Sequence, residues 1–148
     1  MTFYSILVHL HSIARWLLLV GLIFSIFIAL YNYVSKKATG KTGRQFHFFT
    51  GTISHVQLLL GFYLYFISPR VVFSSETMKY AATRFYAMEH ASMMVIAIIL
   101  ITIGMMRARR AKTDKKYFWS IFLFYLIALL LILSAIPWPS GKIPGGWY

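Results

Sequence analysis

Four long apolar runs, separated by short polar connections, constrain this chain more than any other feature. They cover about residues 3–34, 46–67, 83–106 and 117–136. Each is long enough to cross a hydrocarbon core about 30 Å thick, which takes roughly 20 helical residues. With 59% hydrophobic and 12% charged residues in a chain of 148, the apolar surface exceeds what a soluble domain of that size buries. The runs lack period-two alternation, and lipid does not tolerate an exposed strand edge, so helices are expected. Short connections make neighbouring helices antiparallel. The expected fold is one all-α integral membrane domain, an up-down-up-down four-helix bundle, followed by a Gly- and Pro-rich tail over 137–148.

Charge sets the expected orientation. The first connection holds Lys36, Lys37, Lys41 and Arg44, and the third holds Arg107, Arg109, Arg110, Lys112, Lys115 and Lys116. The second offers only Arg70, Lys79 and Arg84, and the tail only Lys142. Lys and Arg resist translocation, so the first and third connections are expected in the cytoplasm and both termini outside, in a bacterial inner membrane. The same rule accounts for the net charge of +12 without nucleic acid as a partner. Tyr4, Trp138, Trp147 and Tyr148 at one level, and Tyr31, Tyr33, Tyr117 and Trp119 at the other, suit interfacial aromatic belts. The first run is too long for a signal-peptide core and lacks a basic leader, so it reads as a retained helix. The connection from Ser68 to Ala82 carries Val71, Val72, Phe73 and Tyr80 and reads as an interfacial loop.

A charge at membrane depth costs about 2.5–3.5 kcal/mol on insertion scales, so each ionisable residue there needs a partner or a function. His9, His11 and Arg15 lie on the first run, His55 on the second, Glu89 and His90 on the third, and none on the fourth. At 1.5 Å per residue, His11 and His90 both fall roughly 10–12 Å below the outer boundary, while His55 and Arg15 fall roughly 18 Å below it. His11 and Arg15 share a helix face; His9 does not. Glu89 aligns with Phe85 and Met93, and His90 with Tyr86 and Met94. Gly51, one turn from His55, leaves room beside that imidazole. His47 reads as interfacial.

There is no cysteine, which excludes disulfides, iron–sulfur clusters and thiolate metal sites. Two imidazoles at one depth on different helices, in an apolar interior, are what bis-histidine ligation of haem b requires. His11 and His90, on diagonal helices, are the expected iron ligands, with His55 as the alternative to His11. Arg84 could pair a propionate, and Arg15 could do so if the haem edge points inward. Other readings stay open. The histidines could bond to neighbouring helices, with Arg15 and Glu89 as a structural ion pair. His9, His11, Glu89 and His90 could hold zinc or copper. Glu89, His90 and His55 could relay protons or orient a quinone. No nucleophile–base pair, phosphate loop or carboxylate pair argues for hydrolysis or group transfer.

The chain resembles a family of small four-helix bacterial membrane proteins described as cytochrome b-like. The likeness lies in His9-Leu10-His11-Ser12 with Arg15-Trp16, in His55-Val56-Gln57 running to Gly61 with Tyr65-Phe66-Ile67-Ser68-Pro69, in Arg84-Phe85 with Glu89-His90 and Met93-Met94, and in Ile136-Pro137-Trp138-Pro139. It spans nearly the whole chain. It implies a membrane-bound b-type cytochrome, or an accessory subunit related to one, passing electrons between the quinone pool and a membrane partner. The alternatives are a cofactor-free subunit of a larger complex or homo-oligomer, and a small transporter or proton-relay protein.

Overall fold

The computed structural model describes residues 2–38, 40–75 and 77–139, and these form four long helices: α1 (Phe3–Ser35), α2 (Lys41–Ile67), α3 (Ala81–Arg109) and α4 (Asp114–Ala135). All four are long and apolar enough to cross a membrane. The expected tail, with Lys142, Trp147 and Tyr148, lies outside the described residues apart from its first three positions.

Local chemistry explains the ends. The Thr2 hydroxyl accepts the Ser5 amide at 3.2 Å and caps α1, and Lys36 closes the helix in the left-handed conformation, φ 51°. Thr113 caps α4 by accepting the Lys116 amide at 3.3 Å, with Asp114 in the first turn where the helix dipole favours an anion. α2 stops at Ser68, ahead of Pro69, whose ring cannot continue the ladder. Most helices extend beyond the expected spans: α2 starts at Lys41 and α4 at Asp114. An apolar run marks only the stretch suited to hydrocarbon, whereas the backbone continues helical through the basic residues that flank it. α1, at 33 residues, is about 50 Å long at 1.5 Å per residue, more than a perpendicular crossing needs.

The helices form a four-membered ring in chain order, with α1 packed on α2 and α4, and α3 on α4 and α2, so that α1 and α3 stand on a diagonal. Side-chain contacts fix the alternating direction. Tyr4 meets Ser68 at 3.2 Å at one end, while Arg44 pairs with Asp114 at 3.2 Å at the other. α3 packs most extensively on α4 and α2 least extensively on α3. The tight α3–α4 crossing needs Gly104, where a Cβ would lie 2.7 Å from Phe124 Cβ. Leu22, Ile101, Phe118, Ile121 and Tyr125 make the core, while Phe27, Leu59 and Phe66 face outward, as lipid-facing residues do.

α3 is not uniformly α-helical. Residues Phe85–His90 form a π-helical segment between Ala81–Arg84 and Ala91–Arg109. Such insertions widen the turn and re-aim the side chains on it.

Candidate functional site

A cavity of about 450 Å³ opens at the end of the bundle where α1 and α3 begin and α2 and α4 finish, a size within the range of small-molecule sites. Its wall is largely apolar, with Val8, Leu18, Leu58, Met94 and Ile132 among its residues. Into this wall α1, α2, α3 and the loop after α2 set a small group of polar side chains, including His11, Arg15, Gln57, Arg70, Tyr86 and His90.

His90 sits at the end of the π segment and reaches across to α4. Its Nδ1 donates to the Ala135 carbonyl at 2.7 Å. The last carbonyls of a helix have no donor from their own ladder, and Pro137 and Pro139 supply none, so the imidazole completes the α4 terminus. The hydrogen bond also fixes the tautomer. With the proton on Nδ1, Nε2 carries the lone pair, and it makes no hydrogen bond among the described residues.

His11 lines the same cavity from α1. The Gln57 amide nitrogen donates to His11 Nε2 at 3.3 Å. His11 Nδ1 and Gln57 Oε1 are buried without a hydrogen-bond partner among the described residues. Gly61, one turn beyond Gln57, makes room for the ring: a Cβ there would lie 3.1 Å from His11 Cε1. Arg15 donates to the Ser12 hydroxyl at 3.0 Å and lies over the Trp16 ring at 5.3 Å. That ring in turn meets Trp138 edge-on, 6.4 Å between centroids. At the mouth, exposed Arg70 donates to the Tyr86 hydroxyl at 3.2 Å with its guanidinium 5.5 Å over the same ring, and Tyr65 donates to the Ala87 carbonyl at 2.9 Å.

The structure therefore brings His11, His90 and Arg15 to one cavity, together with His9, and His90 aligns there with Tyr86 and Met94 as its phase predicts. It places the other candidates elsewhere. His55 lies in the α2–α3 contact, 2.9 Å from the Thr102 hydroxyl. That hydroxyl gives its own proton to the Ile98 carbonyl, so His55 Nε2 is the donor, and His55 is not among the cavity-lining residues. The notch at Gly51 is filled from α3, where a Cβ would collide with Met105 Sδ. Arg84 and Glu89 pair with each other at 2.8 Å, both about half exposed and away from the cavity wall. Residues five apart point to opposite sides of an α-helix; the π segment between them is what lets the two meet. His47, expected at the interface, is 1% exposed, its side chain packed within the bundle. Among the described residues no group of three or more His, Cys, Asp or Glu side chains could hold one metal ion, so the zinc or copper grouping of His9, His11, Glu89 and His90 is not assembled.

Reading the sequence by its ionisable residues passes over Gln57, Gly61 and Tyr65, which recur every fourth residue and so share one face of α2, and Arg70, which follows a helix-ending proline. The spacing of the first three was a usable signal. Nothing local marks Arg70 as part of a cavity. No protein-family profile, curated protein or solved structure matches the chain.

Proposed function

We propose that this chain is a multi-pass protein of the bacterial inner membrane, basic end in the cytoplasm, that holds a b-type haem in the cavity and takes part in one-electron transfer between the quinone pool and a membrane partner. The observation that carries the reading is the His90–Ala135 hydrogen bond. Metal-bound histidines nearly always donate their second ring nitrogen to a carbonyl or carboxylate, which fixes the tautomer and raises the basicity of the ligating nitrogen. His90 is already held in that state.

The other residues fit with one adjustment. His11 lies on the diagonal helix, and its Nε2, which now accepts from the Gln57 amide, would be the nitrogen that holds the haem from that side. Arg15 and Arg70 supply guanidinium groups for carboxylates by charge-assisted hydrogen bonds, taking the role first assigned to Arg84. Held by the two imidazoles, a b-type haem would supply one-electron exchange rather than oxygen chemistry. The largely apolar wall around it limits access of water. The resemblance to cytochrome b-like proteins points the same way.

The His11–Gln57 hydrogen bond favours a second reading, a quinone or quinol site. With Nε2 accepting from Gln57, His11 carries its proton on Nδ1 and can donate to a carbonyl, while His90 Nε2 can accept from a hydroxyl. The test is a reduced-minus-oxidised visible spectrum and a pyridine haemochrome assay on protein purified in mild detergent from haem-replete cells. A b-type signal, lost in His90→Ala and His11→Ala, is the expected result. A folded, colourless wild-type preparation would sink the haem reading, and co-purified quinone would then support the second.

A further inference from the structure

The buried residues of α2 are His47, Thr50, Gly51, Ser54 and Gln57; among the described residues, this helix turns no apolar side chain into the driest part of the bundle. These positions recur at three- and four-residue intervals, so they form one continuous stripe, from the cavity to a point near the basic end. Two-thirds of the way along, Thr50 meets α1, accepting from the Ser25 hydroxyl at 3.2 Å while donating to the Phe46 carbonyl at 3.1 Å. Ser54 donates to the Gly51 carbonyl at 2.6 Å.

Simple interhelical adhesion does not explain both ends of this stripe. His47 is 1% exposed, yet both of its ring nitrogens lack a hydrogen-bond partner among the described residues, as do Gln57 Oε1 and His11 Nδ1 at the cavity end. Buried polar atoms left in this state are costly and are ordinarily satisfied by ordered water. Beyond His47 the line continues to the basic end. The Tyr117 ring lies 6.0 Å from the imidazole, and the Arg44 guanidinium, paired with Asp114, sits 4.9 Å over that ring. Tyr125 holds the His47 backbone in place by donating to its carbonyl at 2.8 Å.

We infer that the inward face of α2 is a water-bridged proton path joining the cavity to the basic end of the bundle, with His47 as its relay. A proton arriving on one His47 nitrogen makes an imidazolium, which releases a proton from the other nitrogen and returns to neutral imidazole. Each hydroxyl and water along the line likewise accepts one proton and gives up another. No bond to carbon changes, no electron moves, and the charge carried is one per proton. The path serves a cavity that takes haem or quinone equally, so it stands apart from the identity of that ligand.

The test uses the full chain in potassium-loaded vesicles with a pH-sensitive dye inside. Valinomycin then lets potassium leave and makes the interior negative. Acidification faster than in protein-free vesicles is expected. It should fall about tenfold in His47→Phe and in Thr50→Val, the factor produced when a barrier rises by about one lost buried hydrogen bond. Thr50→Val keeps the side-chain shape if the histidine variant does not fold. Thr52→Val, on the exposed face of the same helix, should leave the rate unchanged. Wild-type vesicles no faster than empty ones overturn the inference, as do folded variants of both positions that retain full flux, or an equal loss in Thr52→Val. In those cases the stripe serves only to hold the helices together.

Discussion

Tyr125 places its hydroxyl in a part of the bundle with no exposed surface and directs it to one acceptor, the His47 carbonyl on α2. The carbonyl belongs to a helix that already supplies a ladder partner, so removing the hydroxyl costs one interhelical hydrogen bond without stranding a bare acceptor. In membrane bundles such bonds average about 0.6 kcal/mol and reach about 1.7. Tyr125→Phe should therefore lower the unfolding free energy by that modest amount, read from a denaturant titration in detergent micelles. A loss several times larger would mean that the hydroxyl holds more than this carbonyl. At this scale the sequence is partly transparent. Charge at membrane depth marks His11, Arg15 and His90, because lipid makes such residues expensive wherever the fold puts them. It does not say who pairs with whom: Glu89 meets Arg84 rather than Arg15 through the π segment that joins them, and His55 meets Thr102 through α2–α3 packing that no single helix encodes.

Helix contacts turn on where the backbone comes close and what kind of atom fills the approach. At Gly104 an added Cβ meets Phe124 Cβ at 2.7 Å, an atom fixed to the α4 backbone that can move only if the helix moves. At Gly51 it meets the thioether of Met105, the far end of a side chain with several rotatable bonds. Overpacking a tight core costs about 1–3 kcal/mol, and alanine recovers up to about 1 kcal/mol over glycine inside a helix. Gly104→Ala should thus destabilise the bundle by about 1–2 kcal/mol, while Gly51→Ala should be close to neutral. Thermal unfolding of the two variants side by side checks the order, and a more damaging Gly51→Ala would mean that Met105 has no alternative rotamer. Element by element, the helices are legible because apolar length is a local signal. The π segment Phe85–His90 is not, since no residue in it carries a local signal for a wider turn.

At the scale of the whole molecule, the ring of four helices has two unlike ends. One presents the cavity mouth and the loop after α2; the other gathers most of the lysines and arginines, several of them stacked on rings, as Arg44 on Tyr117, Lys115 on Tyr33 and Arg109 on Phe48. A bundle of apolar helices is compatible with either orientation in a bilayer, and its internal packing does not distinguish them. What bears on the choice is the cost of carrying the basic connections across, which Asp and Glu do little to offset. The four-helix architecture was readable from the sequence because apolar length acts through the solvent and does not depend on tertiary detail. The absence of native cysteine allows a clean measurement, because any introduced thiol is the only one present. Ser75→Cys, in the loop at the cavity end, should react with a membrane-impermeant maleimide added to cells with a permeabilised outer envelope and an intact inner membrane. Lys112→Cys, between α3 and α4, should react only after the inner membrane is opened. The reverse pattern would put the cavity mouth in the cytoplasm.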